Sequence, residues 1–173
     1  MKPIECEICC NESESVLYRS LLAFIAIPSK QHVSPADGGH LIVCPIRHVR
    51  DRSGLNASEL MEVSWLTIFA SRLLRDILEV NWFNYQENGN WLLRHPEIQH
   101  MHIHVYGRSE TAKFQKYGES LHFPPSEHLD KWHVEQYSIA QVESLRQSAY
   151  KYSRSDEVQQ FQTITRKIQK LAI

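Results

Sequence analysis

Three histidines alternate with apolar residues in the run His100-Met101-His102-Ile103-His104-Val105-Tyr106. In an extended strand successive side chains point to opposite faces. The spacing therefore predicts three imidazoles on one face and Met101, Ile103 and Val105 on the other. The β-branched and aromatic residues at 103, 105 and 106 favour a strand over a helix. Ten histidines in 173 residues would give some clustering by chance, but strict alternation with apolar partners marks a reaction or ligand surface. Two chemistries suit such a stripe: metal ligation by neutral imidazole, or nucleophilic and acid–base work near an unperturbed pKa of about 6.5.

A second set of reactive residues stands at the start of the chain. Cys6-Glu7-Ile8-Cys9 supplies two thiolates from one tight turn, which is half of a tetrahedral zinc site. The same spacing also occurs in redox pairs, but no strand–CxxC–helix context of the thioredoxin kind surrounds it. His48, just beyond Pro45-Ile46-Arg47, and His100, the first of the stripe, are the candidates for the two missing ligands. Cys10 offers an alternative register.

The elements that must position these groups can be read from the pattern. Val16 to Ile27 reads as one or two strands, 28 to 39 as a loop around Pro35-Ala36-Asp37-Gly38-Gly39, and His40 to Cys44 as a short apolar strand stopped by Pro45. Asn56-Ala57-Ser58-Glu59 predicts a capping box opening a helix, with Leu60, Val63, Phe69, Leu73 and Ile77 on its apolar face. Asn81 to Asn88 returns to strand, Gly89 to Pro96 to loop, and the histidine strand follows. Beyond Arg108 the chain turns polar and aromatic. Ser138 to Gln141 predicts a second capping box, with Ile139, Val142 and Leu145 on one face. Val158, Phe161, Ile164, Ile168 and Leu171 form a further stripe, so the chain is expected to close in a helical hairpin. Such stripes need cover, either over a ligand cleft or dimer surface or on the domain's far side.

Composition narrows the function classes. The chain fits one domain with an extension, and 42% apolar residues suffice for a core. Nineteen basic against twenty acidic residues give no phosphate-backbone footprint, so no nucleic acid polymer is expected as partner. No apolar run is long enough to span a membrane, and Met1 to Cys6 lacks a secretory h-region. Three cysteines crowded at 6, 9 and 10 suit a metal or a reduced compartment, and a cytoplasmic location is expected.

The order Gly39-His40-Leu41-Ile42-Val43-Cys44-Pro45-Ile46-Arg47-His48-Val49, then Asn84 and Asn88-Gly89, then His100-x-His102-x-His104-Val105-Tyr106, resembles that of histidine triad proteins of the zinc-bearing hydrolase type, over roughly residues 4 to 108. The resemblance implies an α+β fold with a central antiparallel sheet and a long helix. It implies a homodimer, and a catalytic domain at 1–108 followed by a loop and helical hairpin extension at 109–173. It also implies a nucleotide as small-molecule substrate, a dinucleoside polyphosphate or a nucleoside phosphoramidate, cleaved at the α-phosphorus through a nucleotidyl-histidine. Carried over, His102 is the nucleophile, His104 and His40 contact the phosphate, and Cys6, Cys9, His48 and His100 hold a structural Zn2+. Asn84 and Asn88 fall where the family has polar residues at the phosphate end.

The chain departs from the family pattern in two places. His95-Pro96-Glu97-Ile98 stands where many members carry Gly-Gln and a small hydroxyl residue, so Glu97 puts a carboxylate beside the phosphate position. The usual acidic ribose contact is missing from Phe24 to Ile27, and His32 or Gln31 stands in for it. These departures leave open an alternative, a nucleotide-binding module with weak or no turnover. A metalloprotein using the triad itself as ligands is disfavoured, because no carboxylate is spaced to complete a catalytic metal set.

Overall fold

The computed structural model describes residues 6–10, 15–88, 98–123 and 134–171. After a short helix α1 (Glu7–Cys10), β1 (Val16–Arg19) and β2 (Ala23–Ala26) form a hairpin. β3 (His40–Pro45), helix α2 (Ala57–Leu78), β4 (Trp82–Gln86) and β5 (Ile103–Arg108) follow. The five strands make one antiparallel sheet in the order β1-β2-β3-β5-β4. This is the expected α+β fold. Among the described residues no helix is long and apolar enough to cross a membrane.

Register decides what each face of the sheet carries. His40 pairs with Tyr106 and Ile42 with His104 across β3 and β5. Leu41, Val43, Ile103 and Val105 therefore point the other way, into the main core with α2. The ladder of β5 starts at Ile103, so His100 to His102 precede the strand rather than belong to it. The alternation nonetheless holds, because Met101 is buried in the same core as Ile103 and Val105.

Helix α2 starts where the sequence predicts. The Asn56 side chain accepts from the Glu59 N–H, and the Glu59 carboxylate accepts from the Asn56 N–H, each at 2.9 Å. Val63, Leu66, Phe69, Ala70, Leu73 and Leu74 make its buried face. Leu60, expected on that face, is 39% exposed, because it lies at the margin of the buried arc, while Ser58 and Glu59 of the same turn are buried.

The C-terminal hairpin consists of α3 (Ile139–Ser153), opened by the expected Ser138–Gln141 capping box, and α4 (Asp156–Leu171). Both pack on α2, and α3 also packs on β1, which puts the hairpin on the helix side of the sheet, away from the histidines. The apolar stripes are thus covered on the helix side of the sheet and not over the histidine face. Leu145 and Ala149 join the main core, and Phe161 stacks on Trp65 at 4.6 Å. Two expected face residues stay wet: Ile139 begins α3 and is 85% exposed, and Ile164 is 50% exposed while its neighbour Thr165 is buried.

Candidate functional site

The two cysteines of α1 meet two histidines from distant parts of the chain. Cys9 Sγ lies 3.3 Å from His48 Nδ1 and 3.4 Å from His100 Nδ1, and Cys6 Sγ lies 3.6 Å from His100 Nδ1. All four ligand atoms fall within 4.8 Å of one another. Bonds of about 2.3 Å to sulfur and about 2.0–2.1 Å to nitrogen put tetrahedral ligand atoms at such separations, so the donor set fits zinc. His100 is prepared for the role. Its Nε2 lies 3.0 Å from the Pro45 carbonyl oxygen, to which it donates, leaving the Nδ1 lone pair for a metal. Burial lowers its pKa to about 4, which keeps the imidazole neutral. Beneath this cluster Cys44 is buried, and burial raises its thiol pKa.

On the same side of the sheet a hydrogen-bond relay runs from a backbone N–H through two imidazoles. The His32 backbone N–H donates to His40 Nδ1 at 3.1 Å, so the neutral His40 carries its proton on Nε2. That nitrogen lies 2.9 Å from His104 Nδ1 and donates to it. The proton of a neutral His104 must then sit on Nε2, where it forms a donor. Burial above all, with the charges of neighbouring histidines second, lowers His40 well below its ordinary value and His104 to about 3. Both rings stay neutral at physiological pH.

His102 is set up the opposite way. Its Nδ1 lies 2.8 Å from the His100 carbonyl oxygen, and since a carbonyl can only accept, Nδ1 carries the proton. The lone pair on Nε2 is left available on a half-buried ring, whose centroid lies 4.6 Å from that of His104. A nucleophilic nitrogen thus stands beside an N–H donor. His32, His40 and His104 each bring a ring nitrogen within 4.8 Å of the others. They do not make a second metal site, because both nitrogens of His40 are already engaged.

The remaining candidates divide. Asn84 on β4 lies opposite Tyr106, and its side-chain oxygen accepts from Arg108 at 2.9 Å, so it serves the guanidinium. Asn88 follows the end of β4, two residues past Gln86, the register partner of His104. His32, expected at a ribose, stacks on His40 at 4.9 Å. Glu97, with His95 and Pro96, lies outside the described residues.

Sequence reasoning missed the anchors of residues 109–123. The Asp37 carboxylate accepts from the backbone N–H groups of Lys113, Phe114 and Gln115 at 2.8, 3.1 and 3.1 Å. Arg108 donates to the carbonyls of Gln115, Lys116 and Glu119. The Gln115 side chain holds His122 at both its N–H and its carbonyl. This arm delivers Phe123 against His32 and Tyr106, at 5.3 and 5.5 Å between centroids. Gly38 permits the arrangement: at φ 132° it lies so close to β5 that a Cβ would fall 2.3 Å from the Gly107 oxygen.

The five-stranded antiparallel sheet with its helices has the fold of histidine triad proteins. A hypothetical histidine triad nucleotide-binding protein from Sulfolobus tokodaii superposes with a TM-score of 0.57 at 15% identity, over 86% of this chain and 93% of that one. A zinc-bound histidine triad family protein from Mycobacterium smegmatis gives 0.56 at 15%, again over 86% and 93%. The diadenosine triphosphate hydrolase of Plasmodium falciparum, solved with cyclomarin A, gives 0.54 at 12%, over 83% and 80%. No family model matches the sequence, and no curated protein matches it either.

Proposed function

We propose that this protein is a nucleotide hydrolase that cleaves a dinucleoside polyphosphate or a nucleoside phosphoramidate at the α-phosphorus. The observation that carries the reading is the opposed tautomers of neighbouring imidazoles, a lone pair on His102 Nε2 beside a proton on His104 Nε2. His102 Nε2 attacks phosphorus, the P–O or P–N bond to the leaving group breaks, and a nucleotidyl-imidazole forms. His104, its tautomer imposed by His40, donates to the oxygens on which charge builds. Water then attacks the same phosphorus and returns the electron pair to His102 Nε2. Asn88 lies toward the His102 end and Asn84 toward Arg108, so Asn88 is the better placed of the two for a phosphate contact.

Cys6, Cys9, His48 and His100 would hold a structural zinc, which supplies a crosslink between α1, the segment after β3 and the approach to β5. His100 also presents the carbonyl that orients His102, so the metal cluster and the nucleophile share one residue. The assembly we propose is a homodimer through the β4 edge. Among the described residues β4 has no strand on its outer side, and Trp82, Tyr85 and nearby Ile68 on α2 are 45%, 54% and 54% exposed.

The test is product chromatography after incubation with diadenosine triphosphate and with adenosine 5′-phosphoramidate. The expected result is release of AMP from at least one of them, abolished in His102→Asn. Binding of AMP with no turnover of either compound would favour the binding module instead.

A further inference from the structure

His32 lies on the loop between β2 and β3, outside the histidine run, yet four contacts fix its ring inside the site. The ring stacks on His40 at 4.9 Å and lies 5.3 Å from His104. Its Nδ1 is 2.9 Å from the Tyr106 hydroxyl. Phe123, at the end of the anchored arm, packs edge-on against it at 5.3 Å.

The proton on this pair can be placed. Tyr106 is fully buried, and burial raises its pKa, so the phenol keeps its hydrogen. Among the described residues His32 Nδ1 is the one partner of that hydroxyl. A buried O–H left without an acceptor is costly, so the phenol donates to Nδ1. Burial, with His102 second, lowers the pKa of His32 and favours its neutral form. The single ring hydrogen then sits on Nε2. That N–H has no protein acceptor among the described residues, and the ring is half-buried rather than sealed.

We propose that His32 is a further catalytic residue, its Nε2–H donating to a non-bridging oxygen of the phosphate that His102 attacks. The inference rests on reading the site as a phosphate site. Two relays then converge there, one from the His32 backbone N–H through His40 to His104, the other from Tyr106 through His32. Phe123 is a positioning residue, and through it the arm of residues 109–123 bears on the chemistry.

The test compares His32→Ala and His32→Gln with the parent protein on adenosine 5′-phosphoramidate. Loss of one preorganised donor should lower kcat by about 10²-fold in His32→Ala, with KM changed far less. The Gln amide nitrogen can reach the place of the imidazole Nε2, so His32→Gln should regain about tenfold or more of that loss, a rescue that lost packing alone would not give. In the unmutated protein, labelled at the histidine nitrogens, AMP should shift the His32 Nε2 resonance together with that of His104. A kcat for His32→Ala within threefold of the parent would overturn the proposal, as would a His32 resonance that stays put while His104 moves. Absence of turnover with neither resonance moved would overturn the phosphate reading itself, and this inference with it.

Discussion

Lowering the pH from 7 to 5 should remove stability through His104, and the amount follows from its burial. In the unfolded chain this imidazole titrates near about 6.5. In the folded protein burial, then the neighbouring His102 and His32, hold it to about 3. Between those values the unfolded chain takes up a proton that the folded protein refuses. Stability is therefore full above the unfolded value and is lost as pH falls, until the folded ring itself protonates. The loss runs at about 1.4 kcal/mol per pH unit, or about 2 kcal/mol by pH 5. His40 acts in the same direction, since burial lowers it too and a proton on Nδ1 would break its bond to the His32 N–H. The assay is urea denaturation at pH 7, 6 and 5 at constant ionic strength, for the parent protein and for His104→Asn. The His48 and His100 cluster is common to both proteins and cancels in the difference. The variant should lose about 2 kcal/mol less than the parent between pH 7 and 5, whatever its absolute stability. Equal pH slopes would refute the reasoning.

Three further outcomes are expected. Protein purified without chelator should carry one zinc per chain, and Cys9→Ser should lower both zinc content and melting temperature; a metal-free parent with an unchanged variant would remove the site. Asp37→Ala strands three backbone N–H groups and should cost about 2–4 kcal/mol by chemical denaturation, with less than 1 kcal/mol counting against the arm being anchored. Leu145 is fully buried in the core shared with α2, so Leu145→Ala should cost about 2–5 kcal/mol; a loss within error of zero would mean that the hairpin is not part of the folded core.

Much of this fold was legible because its signals are local. Alternation at 101–106 told which way each histidine points, and two capping boxes located the starts of α2 and α3. The errors fall where hydrophobicity was counted without the tertiary phase. Ile164 sits at the margin of the arc that Val158, Phe161 and Thr165 turn inward, and Ile139 precedes the first turn that touches the core. Long-range polar contacts left no trace in the spacing. Asp37 meets residues 76 to 78 positions away, and Tyr137 accepts the His40 N–H from 97 positions away. His32 was legible in the sequence only as a stand-in for the missing acidic ribose contact. Its place beside His40 depends on the β2–β3 loop folding back over β5, which no periodicity encodes.

The stereochemical course at phosphorus tests the covalent route most directly. A substrate with a chiral α-phosphorus, labelled with sulfur and an oxygen isotope, would be hydrolysed in isotopic water and the configuration of the nucleotide product determined. Attack by His102 followed by attack of water makes two in-line displacements, each inverting the centre, so net retention is expected. Inversion would show that water reaches the phosphorus in one step, with His102 acting at most as a base, and would contradict the account.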